Sequence, residues 1–202
     1  MGQHEQIKGE LNGDHHRQFM RALLRDVRAL GRLIDEGKIE TGIRRIGVEQ
    51  EMFLVDSAWR PAPLSKEVIE EVDDPDVTTE LAKFNLELNV PPLVLGKSCL
   101  RDLEAALTSR MRKVRRAAAS LDCQVLLAGI LPTLTPSDLG LENMTDSPRY
   151  FALNEALTRL RGRAYELRIQ GTDELLINSP SVMPEAANSS FQVHFQAGAE
   201  EF

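Results

Sequence analysis

The chain has 202 residues and 22.6 kDa, with 42% hydrophobic residues, 27% charged residues and a net charge of −7. That composition excludes wholesale disorder, collagen-like and low-complexity architectures, and the acidic balance argues against nucleic-acid or anionic-membrane partners. No run of about 18 apolar residues is present, and two cysteines, Cys99 and Cys123, are too few for a disulfide framework or a Cys-rich zinc site.

The polar opening MGQHEQIKGELNGDHH lacks the apolar core of a secretory signal, so residues 1–16 read as a flexible lead-in. Its histidines His4, His15 and His16 have no accompanying carboxylate or thiol constellation, which argues against a metal site there. Phe19, Leu23, Val27, Leu30 and Ile34 recur every three or four residues and predict a helix over 17–36, closed by Gly37. A second helix is predicted over 98–121, with Leu100, Leu103, Leu107, Met111, Val114, Ala118 and Leu121 in one stripe. Its opposite face carries Arg110, Arg112, Lys113, Arg115 and Arg116, a run expected of a solvated surface. The apolar run QVLLAGIL (124–131), ended by Pro132, suits a strand buried on both faces. A third helix is predicted over 150–161, with Pro148 near its start. Buried, reduced thiols fit a cytoplasmic protein. The irregular mixture of helices and strands predicts α+β rather than a doubly wound sheet.

Three strands each have one polar face. In IGVEQEMFLVD (46–56), Ile46, Val48, Met52 and Leu54 point one way and Glu49, Glu51, Gly47 and Phe53 the other, with Gln50 the exception. Carboxylates at i and i+2 lie roughly 6–7 Å apart, a spacing suited to two neighbouring divalent cations. In FNLELNV (84–90), Phe84, Leu86, Leu88 and Val90 oppose Asn85, Glu87 and Asn89, and Pro91 and Pro92 are expected to stop the strand. Glu80 approaches from a short helical segment, TTELAK. In FQVHFQ (191–196), Phe191, Val193 and Phe195 are expected inward, opposite Gln192, His194 and Gln196. A wet sheet face carries Glu, Gln and Asn by default. Acidic groups gathered on one face, however, repel unless a cation neutralises them, and hard oxygen donors with one imidazole suit magnesium or manganese better than zinc.

Other signatures fail. PPLVLGKS has Pro91 where a phosphate loop needs its first glycine, and neither G-x-G-x-x-G nor G-x-S-x-G occurs. The apolar settings of Cys99 and Cys123 argue against a thiol nucleophile paired with His194.

GVEQEMFLVD, ELAKFNLELN, AGILPT, SPRYFALN and SFQVHFQ, in this order over about residues 43–202, resemble the carboxylate–amine ligases of the second glutamate–cysteine ligase family. The resemblance implies a glutamine-synthetase-like catalytic fold, an antiparallel sheet forming an open half-barrel. It implies an ATP-dependent reaction in which the γ-carboxylate of glutamate attacks the γ-phosphate. The amino group of cysteine, or of another amine, then displaces phosphate from the acyl phosphate. With cysteine as the amine, the product belongs to glutathione biosynthesis. By the same resemblance, Glu51, Glu80 and Glu87 match the ligands of one magnesium, and Glu49 and His194 those of the magnesium on the nucleotide phosphates. Arg149 and Tyr150 match an Arg-Tyr pair near the substrate pocket, and Gln192 and Gln196 lie on the substrate side of the His194 strand.

Two departures stand out. Gln192 occupies a position where relatives often carry histidine. The sequence given also stops after the third polar strand, whereas the resemblance implies a further stretch with another metal-binding glutamate and basic residues for the phosphates. Residues 17–202 are therefore expected to be the N-terminal part of a ligase catalytic domain, without turnover by themselves, and the segments 56–66 and 133–147 are expected as lids. A competing reading is a non-catalytic nucleotide- or amino-acid-binding regulatory module that keeps the ligase fold. A two-metal phosphohydrolase would need a site richer in Asp and His.

Overall fold

Strand β1 (Arg45–Val55) is the spine of the computed structural model, which describes residues 13–201. On one side it pairs antiparallel with β3 (Asn85–Val94), which in turn pairs with the short β2 (Val77–Thr79). On its other side it pairs with β7 (Phe191–Phe195) through Ile46–Gln50 and with β4 (Gln124–Leu126) through Phe53–Val55. The result is an open five-stranded antiparallel sheet, an α+β fold as expected.

Alternation along β1 divides the interior in two. Ile46, Val48, Met52 and Leu54, with Leu86, Leu88 and Val90 of β3, face helices α2 (Ser65–Val72) and α3 (Cys99–Ser120), which contribute Val68, Leu103, Val114 and Ala118. Each fully buried Val, Leu or Met side chain here stabilises by about 1.5–3 kcal/mol. Cys99 and Cys123 are buried in this core, and burial pushes the Cys123 thiol up, which suits packing rather than nucleophilic chemistry. Two members of the basic run fasten α3 to the loop before β2. Arg110 donates from Nε to Asp76 at 3.1 Å and Lys113 from Nζ to Asp74 at 2.7 Å.

Phe53 and Val55 point the other way, into a second core with Leu81, Phe84, Leu131, Met144, Met183 and Tyr150 of helix α4 (Pro148–Arg161). Beyond α4, strands β5 (Tyr165–Gln170) and β6 (Glu174–Ser179) form a separate antiparallel hairpin.

Several expectations need correction. Pro91 and Pro92 do not end β3. The register slips between Ile46 and Val48, and the prolines lie in that irregularity, where their missing N–H groups break no regular ladder. Phe84 lies before β3 and turns into the second core rather than sharing a face with Leu86. TTELAK is not helical: Thr79 ends β2 and Glu80 follows in irregular chain. Only Gln124–Leu126 of 124–131 forms a strand, because the β1 edge on the far side of Phe53 is taken by the entry to β7, where the Glu51 N–H donates to Ser190 O and Gln50 pairs with Phe191, and Leu127 and Ile130 are exposed.

The apolar side of β7 is also open. Phe191, Val193 and Phe195 are exposed because β7 is a sheet edge, and with Leu100, Leu103 and Leu107 of α3 they form the walls of an uncovered groove. Helix α1 (Gly13–Asp35) starts earlier than expected, and its stripe from Phe19 to Ile34 faces solvent. His4 lies outside the described residues. The segments expected as lids are tied to the body. The Asp56 Oδ1 accepts hydrogen bonds from the N–H groups of Ala58 (2.9 Å) and Arg60 (2.8 Å), and the N–H of Ala62 donates to Leu54 O at 2.9 Å. Residues 133–147 hold two 3-10 turns, with the N–H of Thr145 donating to Leu81 O at 2.9 Å. No helix among the described residues is long and apolar enough to cross a membrane.

Candidate functional site

Register brings the acidic residues together. Glu51 of β1 lies directly opposite Glu87 of β3, and Glu87 lies opposite Thr78 of β2, so the chain leaving β2 delivers Glu80 to the same place. One carboxylate oxygen from each of Glu51, Glu80 and Glu87 falls within 4.8 Å of the others. All three side chains are half-buried, where water screens like charges poorly.

The electrostatic consequence shows at Glu80, whose carboxyl is pushed up to about 7. Burial is the largest cause, followed by its hydrogen bond with Glu87 and the negative charges of Glu87 and Glu51; the Leu81 N–H, 3.2 Å from Oε2, pulls weakly the other way. The remaining oxygens are held in place. Glu51 accepts from the Ser190 N–H at 2.7 Å and from Gln192 Nε2 at 3.2 Å, and Glu87 accepts from Asn89 Nδ2 at 2.6 Å. Gln50, the exception to the alternation, donates to the carbonyls of Glu51 (2.8 Å) and Ser190 (3.3 Å) and so ties β1 to the entry of β7.

A second acidic position sits further along β1. Glu49 lies between Asn89 and Gln192 in register, and its Oε2 is 3.3 Å from His194 Nε2. The two residues line a cleft with Arg45, Asn89, Pro92 and Gln196. The five residues expected as ligands thus form two groups, Glu51–Glu80–Glu87 and Glu49–His194. Gln192 joins the first through Glu51. Gln196 does not; its amide accepts from Arg45 at 2.7 Å and donates to Glu40 at 2.8 Å.

Arg149 and Tyr150 open α4. Tyr150 is buried and donates to Thr79 O at 3.3 Å, beside Glu80; Arg149 lies over its ring, 4.6 Å from the centroid, and donates to its hydroxyl at 2.7 Å. Burial pushes the Tyr150 hydroxyl up against the pull of Arg149, and the charges of Glu80 and Glu87 add to the push. The Arg-Tyr pair is therefore within electrostatic reach of the carboxylate trio.

Sequence reasoning missed Glu185, in the 3-10 turn Met183–Ala187, and the backbone donor of Ser190. Glu185 lines one pocket with Glu51, Glu80, Asn85 and Gln192. A single glutamate in an irregular MPEAAN segment carries no periodic signal, so only tertiary structure reveals it.

Oxygen donors at this density, with one carboxyl already displaced by burial first and by its neighbours second, fit a hard divalent cation. The family model for glutamate–cysteine ligase family 2 matches residues 45–196, a span that includes all five expected ligand residues. No curated protein and no solved structure matches the chain.

Proposed function

The chain belongs to glutamate–cysteine ligase family 2, and on that footing we propose that it forms part of an ATP-dependent ligase joining the γ-carboxylate of glutamate to an amine through an acyl phosphate. A ligase-type activity follows from the family; ATP, magnesium or manganese, and cysteine or another amine are the finer reading. The observation that carries it is the convergence of Glu51, Glu80 and Glu87 within 4.8 Å across β1, β3 and the segment after β2.

In this reading Glu51, Glu80 and Glu87 hold one cation and Glu49 with His194 supports the nucleotide's. When bound, the cations supply the positive charge that lets a carboxylate approach a triphosphate. The protein's own groups do the positioning. Ser190 and Gln192 fix the Glu51 carboxylate, Asn89 fixes Glu87, and the ladder between β1 and β3 keeps these groups in place without reorganisation. Arg149, held over the Tyr150 ring, offers a guanidinium to the substrate carboxylate. No Walker loop is needed in such a design, because the carboxylate face takes over charge management.

Calorimetric titration of the chain with MgCl2, with and without ATP-γ-S, tests the site. Glu87→Gln is expected to weaken magnesium binding at least tenfold, and unchanged binding would remove the basis of the proposal. Ligation is assayed with glutamate, ATP and a panel of amines. Binding with no ligation to any amine would instead identify a regulatory module.

A further inference from the structure

Helix α1 packs against neither core. From Arg17 to Asp35 every residue except Gly31 is exposed, and no residue of α1 belongs to either buried cluster. A helix of 23 residues gains most of its stability in water by packing an apolar face, so a bare one is marginal. Its apolar residues are not scattered. Met20, Leu23, Val27, Leu30 and Ile34 follow one another at steps of three and four, the a and d positions of a heptad. Phe19 and Leu33 at g and Leu24 at e widen the stripe, while Arg21, Arg25, Arg28 and Arg32 fall at b and f on the opposite face. The eight apolar residues are each 39–60% exposed. Together they present on the order of 800 Å², above the patch size usual for a monomer and near one partner's share of a standard interface.

From this seam we infer that α1 is a dimerisation helix covered by the α1 of a second copy, in a parallel two-stranded coiled coil. β-Branched Val27 and Ile34 at a, with Leu23 and Leu30 at d, is the combination that favours two parallel strands. In that alignment Phe19 at g meets Leu24 of the second copy at e, so the widened part of the stripe is covered as well. Asp26 at g meets Gly31 at e, and no two like charges face each other beside the seam. An anionic bilayer is the poorer partner, because the chain carries −7 and Asp26 borders the apolar face. The pairing is isologous and closes at two copies. The coil is short, so its dissociation constant is expected in the micromolar range. Nothing in the inference depends on the ligase reading.

Sedimentation equilibrium of the 202-residue chain, loaded from low to high micromolar concentration, is expected to move from 22.6 kDa toward twice that mass. Val27→Glu combined with Leu30→Glu keeps good helix formers in α1 and is expected to weaken association at least tenfold. Its thermal midpoint at concentrations where the chain is monomeric is expected to stay unchanged, because α1 packs against neither core. Leu160→Gln, near the end of α4 and 84% exposed, is expected to leave association unchanged. Met20→Cys, oxidised by dissolved oxygen with a copper catalyst, is expected to form a disulfide between two copies at their facing a positions. A chain that stays monomeric at every concentration overturns the inference, and flotation of that monomer with phosphatidylglycerol vesicles would assign the stripe to a membrane instead. An equal loss of association in Leu160→Gln also overturns it, as contact between any apolar surfaces. So does a dimer that resists cross-linking through Met20→Cys, since α1 would then run antiparallel or lie on another surface.

Discussion

Glu80 is the residue on which the site's electrostatics concentrate. Its folded-state carboxyl sits near 7, above the ordinary 4.5, so the native protein holds this proton more tightly than the unfolded chain. The stability linked to that proton is fully present below about pH 4.5 and is lost as pH rises through about 7. In metal-free buffer, Glu80→Gln is therefore expected to raise stability at pH 8 by on the order of 1 kcal/mol, a modest figure because the carboxyl is partly exposed and screened. That corresponds to a melting temperature higher by about 2–4 °C, with little change at pH 4. Thermal melts in chelator at the two pH values check it, and a variant melting lower at pH 8 would show that the ionised carboxylate is not strained. The same residue shows how far letters reach. Glu51 and Glu87 were legible from alternation alone, and Glu80 was singled out as their neighbour. The helical approach expected for it was wrong, because β2 claims Val77–Thr79 by pairing with β3, a tertiary event that no local period records.

At the scale of elements, period decided what was legible. The strands β1 and β3 and the helix α3 follow their patterns because one face of each meets a core. The patterns failed where a pattern was real but its partner absent. Phe84 and Phe191 head similar alternating segments, yet Phe84 is fully buried in the second core and Phe191 is half exposed on the edge strand. Phe84→Ala is expected to cost about 3–5 kcal/mol, whereas Phe191→Ala is expected to cost less than about 1 kcal/mol. Urea unfolding midpoints distinguish the two, and equal losses would mean that β7 is covered in solution. The β5–β6 hairpin went unread although Leu167 and Ile169 alternate before Gly171 and Leu175 and Ile177 alternate after it. Its three-residue connection, with the Gly171 N–H donating to Asp173 O at 2.9 Å, lacks the Asn-Gly signal that marks two-residue turns.

For the whole molecule, the division of the interior on either side of β1 separates maintenance from chemistry. The face packed by α2 and α3 anchors the sheet, while the opposite face is closed at one end by the second core and left polar at the other, where the carboxylates gather. Two of those carboxylates ride on the longest ladder in the molecule. The third sits on unpaired chain between β2 and β3, anchored through the N–H groups of Lys83 and Thr145, which donate to the carbonyls of Asn143 and Leu81 at 2.8 and 2.9 Å. Magnesium would thus act as a clasp across a seam, and the seam should report its closing. Amide deuterium uptake at Leu81, Lys83 and Thr145 is expected to slow by up to about a hundredfold at magnesium concentrations one hundred times the dissociation constant, if those amides open only when the clasp is undone. Amides in the middle of β1 and β3 are expected to exchange through rarer, larger openings, so a slowing spread evenly over the whole chain would place the cation somewhere other than this junction.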